Sequence, residues 1–200
     1  MNLTLPRIIT LLTLALMLAM ANKIVLAQQD QTLNKGKFLV ATKALNETSY
    51  ARTVIYITEH DDNGTYGLIV NKPTEIFMNE ILPAPKKESV GSEHLYFGGP
   101  MHMKFLFVLA QTKKSEGLHP IQGDIYFGAG QEVVSELSGQ IKNIKVRTYA
   151  GFSSWGPGQL QQEIDDGGWV VAPGDAKGLF DENTESLWQT LFDRWGGSWI

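Results

Sequence analysis

One hairpin signal constrains this chain more than any other feature of its sequence. Residues 52–60 are rich in β-branched and aromatic side chains, as a largely buried strand is. Residues 61–64 read Asp-Asp-Asn-Gly, and an Asn-Gly pair supplies the positive φ angles that a tight hairpin turn needs. Residues 65–71 then return as the partner strand, which Lys72 and Pro73 end. The sequence therefore predicts antiparallel pairing between these two strands.

Short strands separated by turns dominate the rest of the chain. Further strands are predicted at residues 37–42, 94–97, 104–110, 124–127, 143–149 and 169–172. Helices are predicted at residues 75–82, 131–137, 159–166 and 183–195, with a loop at 113–123 and a glycine-rich turn at 151–158. The last helix carries Trp188, Leu191, Phe192 and Trp195 on one stripe, which we expect to face the core. This pattern predicts an α+β fold, a mainly antiparallel sheet or distorted barrel with helices packed on it.

The length and the apolar content of the chain fit one domain. It has 200 residues, of which 43% are hydrophobic, enough for a sizeable core but not for a second full domain. We expect a single domain over residues 36–196, preceded by a polar leader at 28–35 and followed by a C-terminal tail at 197–200.

The first 27 residues have the order of an export signal. Arg7 precedes an apolar run over residues 8–20, and small residues follow, with Ala27 as the preferred cleavage point. The alternative is an uncleaved anchor over residues 8–27, although a run of 13 residues spans only ~20 Å of the ~30 Å hydrocarbon core. The sequence predicts an exported, periplasmic protein, with contact to the membrane only if this segment is retained.

Charge and cysteine content exclude several classes of function. The formal net charge is −4, and removing Arg7 and Lys23 with the signal would leave 15 basic against 21 acidic residues, a net charge of −6. Basic pairs occur only at residues 86–87 and 113–114, so a nucleic-acid partner is not expected. The chain has no cysteine, which excludes disulfides, thiolate metal sites and cysteine nucleophiles.

A serine pair between glycines suggests a nucleophile turn, but its spacing is wrong. A nucleophile elbow needs glycine two residues to either side of the serine, whereas Ser153 has Trp155 at the second position. No histidine follows the pair, since the last one is His119. A hydrolase that uses Ser153 or Ser154, with Glu163 or a histidine as base, is therefore the weaker alternative, and no catalytic residue is assigned.

The four histidines do not have the spacing of a metal site. They are His60, His94, His102 and His119. No two of them lie at the close helical spacing of known zinc motifs, and the acidic turn at 61–64 lacks the alternating acids of a calcium loop. No metal or other cofactor is predicted.

Two glycine-rich turns are the candidate contact surface. Glycines that precede a helix expose backbone N–H groups able to hold an anion or a carboxylate, but the turn at 155–159 has no lysine of its own for a phosphate. The candidate residues for an unknown protein partner or a small polar ligand are Gly98, Gly99, Pro100, Trp155, Gly156, Gly158 and Gln159. The alternative is that the second turn only caps a helix, with Trp155 packed in the core.

Several motifs together resemble the YqgE/AlgH family. In chain order they are 51–55 (Ala-Arg-Thr-Val-Ile), 59–61 (Glu-His-Asp), 67–73 (Gly-Leu-Ile-Val-Asn-Lys-Pro), 96–100 (Tyr-Phe-Gly-Gly-Pro), 149–151 (Tyr-Ala-Gly) and 155–164 (Trp-Gly-Pro-Gly-Gln-Leu-x-x-Glu-Ile). The resemblance extends from Gly36 to about Trp195. It implies one domain with a bifurcated sheet folded into a pseudo-barrel, and no established enzymatic activity or cofactor. Ser153 and Ser154 stand where an Ala-Gly pair is commoner in the family.

Some members of that family carry the label of transcriptional regulator, a role that the predicted export and the acidic charge of this chain do not favour. The leading hypothesis is a non-enzymatic binding or regulatory module of the bacterial envelope. A domain whose glycine motifs serve only its fold is the second hypothesis.

Overall fold

The computed structural model describes residues 32–82, 93–113, 116–138, 144–181 and 183–196, together with Met17. The elements below all belong to one compact unit, Leu33–Ile200, whereas Met17 belongs to a separate unit, Met1–Thr32, and is exposed. The predicted signal segment is otherwise outside the described residues, as are the lysine pair at 86–87 and the tail at 197–200. Within the described ranges, no helix is long and apolar enough to cross a bilayer.

Strands account for more of the described chain than helices do. The strands are β1 (Lys37–Ala41), β2 (Val54–Asp61), β3 (Gly64–Ile69), β4 (Pro73–Phe77), β5 (His94–Phe97), β6 (Met101–Gln111), β7 (His119–Gln122), β8 (Ile125–Ala129), β9 (Lys145–Trp155) and β10 (Trp169–Pro173). The α-helices are α1 (Met78–Ile81), α2 (Gln131–Ser138), α3 (Gln159–Asp165) and α4 (Thr184–Trp195). A 3-10 turn at Lys43–Leu45 and a π-helical turn at Lys177–Asp181 complete the described elements.

The sheet is mainly antiparallel and divides at β9. Its main path runs β10-β1-β2-β3-β9-β6-β8-β7, with every neighbouring pair antiparallel. Strand β9 pairs with β3 near its C-terminal end and with β6 over most of its length, while β5 joins β9 in parallel and carries β4 on its other side. The predicted α+β class and the mainly antiparallel, curled sheet are confirmed.

The predicted hairpin is confirmed as β2 and β3. Asp61 stands opposite Gly64, and the Asp61 carboxylate accepts a hydrogen bond from the backbone N–H of Asn63 at 2.8 Å. That bond is the main reason why the pKa of Asp61 is lowered. The register shifts between Ile57 and Glu59, so Thr58 forms a bulge and the far end of the hairpin bends.

Three predictions of local structure are wrong. Residues 75–77 continue β4, so the helix predicted from residue 75 begins at Met78, and the loop predicted at 113–123 contains β7. The turn predicted from residue 151 is strand as far as Trp155, because β9 pairs with β3 there. Gly151, Ser153 and Trp155 are buried while the residues between them are partly exposed, and this period of two marks a strand despite the glycine.

Helix α4 and a buried amide fix the sheet around β1 and β2. The stripe on α4 packs on the core as predicted, and Trp188 donates its indole N–H to the Ala41 carbonyl at 2.8 Å. Beside it, the side chain of Asn71 accepts from Val54 N at 2.7 Å and donates to Arg52 O at 2.9 Å. Arg52 has a φ of 54°, and its guanidinium carbon lies 5.5 Å from the Trp188 ring centroid. The amide of Asn71 thus holds a residue with left-handed backbone in place.

Candidate ligand site

A cavity of about 480 Å³ lies against the curled sheet. Its lining residues, which we call the barrel mouth, are Lys35, Thr58, Glu59, Tyr66, Leu68, Phe152, Phe107, Phe127, His119 and Pro120. In that order they come from the residues before β1 and then from β2, β3, β9, β6, β8 and β7, which is the order of strands in the sheet. The cavity is therefore lined by consecutive strands of the curled sheet, an arrangement in which small barrels commonly hold ligands.

A hydrogen bond joins the two ends of this row of strands. Lys35 Nζ donates to the Pro120 carbonyl at 3.3 Å, across 85 positions of sequence. The adjacent Gly36 N–H donates to Ile57 O at 2.8 Å, which fixes this segment beside β2. The sequence-based assignment of residue 35 to a polar leader missed this closure.

Aromatic rings form the inner wall of the barrel mouth. Phe107 stacks on Phe127 with ring centroids 5.9 Å apart and meets Phe152 edge to face at 5.5 Å. Tyr66 also packs against Phe152, with ring centroids 5.8 Å apart, and is 40% exposed. These rings come from four strands, so an apolar group that enters the mouth meets ring faces and edges from several directions.

An exposed lip stands beside this wall. Met101 pairs with Phe152 and Leu106 pairs with Ala150, so residues 102–105 of β6 bulge out opposite the single residue Gly151. His102 stacks on the Phe152 ring at 5.7 Å, whereas Met103 is 59% exposed. Phe105 in the same lip is 61% exposed and meets the His102 ring edge to face. The lip extends the apolar surface of the mouth outward.

Gly151 makes this bulge possible. Its φ is 70°, and a Cβ atom there would overlap the carbonyl oxygen of Gly99 and lie 2.8 Å from that of Met101. Only glycine adopts this conformation at such close backbone approach without strain. The lip and the turn at 98–100 therefore both require glycine at position 151.

Four polar side chains line the mouth outside its aromatic wall, Thr58 among them. Lys35 brings a cation, Glu59 brings a carboxylate, and His119 on β7 brings an imidazole. Within the described part of the chain, neither Lys35 nor Glu59 forms an ion pair, and both are exposed. Their charges are available to a ligand.

The first predicted turn is mostly inside the fold. Gly98 donates its N–H to Ala150 O and accepts from Ile69 N, each at 2.8 Å. Gly98 and Gly99 are both buried, and Pro100 is exposed. A Cβ atom on Gly99 would overlap the backbone of Phe152, so this turn packs directly on β9.

The second predicted turn forms a closed hydrogen-bond network. Glu163 Oε2 accepts the indole N–H of Trp155 at 2.9 Å, and Glu163 Oε1 accepts from Gln159 Nε2 at 3.1 Å. Gln159 Oε1 in turn accepts from the Gly156 N–H at 3.1 Å. Of the backbone N–H groups predicted to hold an anion, that of Gly156 is therefore already bonded, and Gly158 serves as the left-handed N-cap of α3. Trp155 is 5% exposed, whereas Gly156, Gly158 and Gln159 are exposed.

The serine pair lies within β9 and not in a turn. Ser153 is fully buried, and its hydroxyl has no hydrogen-bond partner in the described structure. Ser154 stands opposite Tyr66 in the β3 pairing. No described hydrogen bond joins either serine to a histidine or to Glu163, so this arrangement offers no activated nucleophile.

The four histidines have different surroundings in the described structure. His60 Nδ1 lies 2.7 Å from Thr65 Oγ1, and His94 Nδ1 lies 2.8 Å from the Thr74 carbonyl oxygen. His102 belongs to the lip and His119 to the mouth. In the described ranges, no three histidine or acidic side chains are grouped as a metal site would need.

A family model described as AlgH-like (DUF179) matches residues 38–200. The chain belongs to the AlgH-like family. The resemblance predicted from its motifs is confirmed. Among curated relatives, a UPF0301 protein of Cytophaga hutchinsonii is 30% identical over 172 residues, covering 84% of this chain and 92% of that protein. A UPF0301 protein of Mycobacteroides abscessus is 28% identical over 174 residues, with 84% and 83% covered. These names state no reaction and no ligand.

Solved structures of AlgH-like proteins share the fold. The solution structure of AlgH from Pseudomonas aeruginosa matches with a TM-score of 0.67 at 26% identity, covering 80% of this chain and 87% of that one. The crystal structure of DIP2367 from Corynebacterium diphtheriae matches with a TM-score of 0.65 at 23% identity, covering 82% and 87%. The curled, mainly antiparallel sheet is thus the architecture of the AlgH-like fold.

Proposed function

We propose that this AlgH-like chain is a non-enzymatic binding or regulatory module of the bacterial envelope, and that its barrel mouth holds an apolar group of a ligand. The observation that carries the proposal is the aromatic wall of Tyr66, Phe107, Phe127 and Phe152 around a 480 Å³ cavity. Cavities of this size lined by aromatic side chains are typical of small-molecule sites. Beside it, Met103 and Phe105 expose further apolar surface to water, and exposed apolar surface of this kind commonly marks a binding site.

The polar groups of the described chain support binding in preference to catalysis. Ser153 is out of reach of a substrate, and the Glu163 carboxylate is engaged by two indoles and an amide. In the mouth itself, Lys35, Glu59 and His119 surround the opening without an adjacent nucleophile of the serine or cysteine type. Such a site can select a ligand by its shape and charge.

The envelope location in this proposal rests on residues 1–27. Their order of charge, apolar run and small residues is that of an export signal. Fractionation of cells that produce the tagged protein, with the mass of the purified chain, tests it. A periplasmic chain starting at Gln28 supports export, whereas a full-length chain in the cytoplasm overturns it. A full-length chain in the membrane fraction supports the tethered form.

Ligand binding at the mouth is tested with a small neutral ring. We expect 2-phenylethanol to shift the amide resonances of residues around the mouth, chiefly those near Phe152 and Phe107. Phe152→Ala removes one ring of the wall and should weaken binding, whereas Ile76→Ala removes a 43%-exposed apolar side chain from β4 and should not. Thr58→Trp, which fills the opening, should abolish binding in a folded protein.

The proposal is overturned if the probe leaves the resonances around the mouth unchanged at millimolar concentration. Equal weakening by Phe152→Ala and Ile76→Ala would also contradict it, because a general loss of stability would then explain the effect. Thr58→Trp keeps the test decisive if Phe152→Ala disturbs the fold.

A further inference from the structure

We infer that the ligand of the barrel mouth is a small zwitterion, an amino acid with a large apolar side chain. The inference rests on the proposed function and specifies its ligand class. Its basis is that the mouth places one side chain of each charge, Lys35 and Glu59, beside a wall of aromatic rings, and neither forms an ion pair with another described residue.

The two charges lie on neighbouring segments of the rim. Gly36 donates to Ile57 O at 2.8 Å, so Lys35 runs alongside the segment of β2 that contains Thr58 and Glu59. The two side chains do not form an ion pair with each other within the described structure. Lys35 Nζ bonds only a carbonyl there, at 3.3 Å, and an ammonium carries three donors. A ligand that brings a carboxylate to Lys35 and an ammonium to Glu59 would satisfy both groups at once.

Charge balance argues against a ligand of one sign. A simple anion would meet Lys35 but would also approach the carboxylate of Glu59, and a simple cation would meet the reverse problem. An ammonium and a carboxylate on one carbon match a rim that carries both signs. His119 adds ring nitrogens able to donate to the carboxylate or to accept from the ammonium, according to its tautomer.

The wall selects an apolar side chain of substantial size. Phe107, Phe127 and Phe152 meet through faces and edges at 5.5–5.9 Å, and Leu68 lines the mouth beside them. A cavity of 480 Å³ has room for a ring or a branched chain together with its polar end. A polar or very small amino acid would leave the rings without contacts, and we expect it to bind poorly.

Four ligands with the same phenyl ring test this inference by isothermal titration calorimetry on the purified protein. They are phenylalanine, 3-phenylpropionate, 2-phenylethylamine and 2-phenylethanol. We expect phenylalanine to bind at least about fivefold more tightly than each of the other three, because it alone reaches both charges. Equal affinities for all four would overturn the zwitterion while leaving the apolar site intact. Absence of binding by all four would overturn the proposed function itself.

Charge variants assign each end of the ligand. Lys35→Gln should weaken phenylalanine and 3-phenylpropionate by about fivefold and leave 2-phenylethylamine unchanged. Glu59→Gln should weaken phenylalanine and 2-phenylethylamine and leave 3-phenylpropionate unchanged. The matched controls Lys43→Gln and Glu47→Gln change exposed charges that do not line the mouth, and should alter none of the affinities. A variant of Lys35 or Glu59 that weakens all four ligands alike would contradict the assignment.

Discussion

The indoles of Trp155 and Trp169 meet edge to face, with ring centroids 6.0 Å apart, and both donate their N–H to the same carboxylate oxygen at 2.9 Å. That oxygen is Oε2 of Glu163 on α3. Because both indoles are nearly buried, the carboxylate satisfies two donors that water cannot reach. The end of β9, helix α3 and strand β10 are joined at this point.

Glu163→Ala should lower the free energy of unfolding by about 3 kcal/mol, because it leaves two buried indole donors without an acceptor. Glu163→Gln keeps one acceptor oxygen and should cost about 1 kcal/mol. Urea unfolding monitored by tryptophan fluorescence measures both. Gln161→Ala on the exposed face of the same helix is the control and should change stability by less than about 0.5 kcal/mol. Equal losses for Glu163→Ala and Gln161→Ala would show that the shared carboxylate contributes little.

Alanine at two of the predicted surface glycines should have very different effects. Gly99 has a φ of 151° and a Cβ atom there would overlap the Phe152 backbone, so Gly99→Ala should cost about 3 kcal/mol or more. Gly158 has a φ of 73° but open space around it, so Gly158→Ala should cost only about 1 kcal/mol. Thermal unfolding of the two variants side by side distinguishes them. Similar stability for both would mean that β9 yields easily at Phe152.

Substitutions at Arg52 measure how much free energy left-handed backbone costs in a residue that has a side chain. Arg52→Gly and Arg52→Ala both remove the guanidinium from the Trp188 ring, but only glycine relieves the φ of 54°. Arg52→Gly should therefore be about 1 kcal/mol more stable than Arg52→Ala in denaturant unfolding. The opposite order would indicate that the segment relaxes to a negative φ when the ring contact is lost.

Ser153→Ala should leave stability unchanged or raise it by up to about 1 kcal/mol, because a buried hydroxyl without a partner contributes no hydrogen bond. The folded protein should not react with a serine-directed fluorophosphonate, since the side chain is fully buried. Mass spectrometry of the treated protein measures the reaction, with Ser154→Ala as a companion variant. Labelling at either serine would revive the hydrolase alternative.

Two of the six tyrosines should resist ionisation until the protein unfolds. Burial raises the pKa of Tyr56, with a further contribution from Asp175, and burial likewise raises the pKa of Tyr149. Because both values lie above that of an unfolded tyrosine, their contribution to stability is complete below about pH 10 and is lost as the pH rises further. Ultraviolet absorbance and circular dichroism recorded together against pH measure this. Ionisation of all six near pH 10 with an unchanged fold would contradict it.

The strands were predictable because their signals are local. The Asn-Gly turn between β2 and β3 and the stripe on α4 each lie within a dozen residues of sequence, and both are confirmed. The continuation of β9 through Gly151 was not predicted, because its glycine is required by a backbone approach from residues 99 and 101. The period of two appears only in the burial from Gly151 to Trp155, because residues 151–155 do not alternate apolar and polar side chains in the sequence.

The barrel mouth could not be predicted for a different reason. Its aromatic side chains belong to separate strands, and each of them taken alone is an ordinary strand residue. Lys35 lies in a segment with no periodicity, and its role follows only from the contact with Pro120. By contrast, the fold largely explains the two predicted glycine-rich turns. The first packs on β9, and the second belongs to the Glu163 hydrogen-bond network. Whether Pro100 or the exposed residues of the second turn also meet a partner stays a prediction.

The hydrogen bond from Lys35 to Pro120 also implies that a ligand in the mouth would protect the chain against proteolysis. Because the mouth needs side chains from residue 35 to residue 152, a chain in which β7 has separated from the segment before β1 has no complete site. A ligand that needs all of these side chains would therefore favour the closed form, and by mass action a concentration of a hundred times its Kd would add about 2.7 kcal/mol against opening. Under the proposed function, the lifetime of the protein in the presence of proteases would then follow the supply of its ligand.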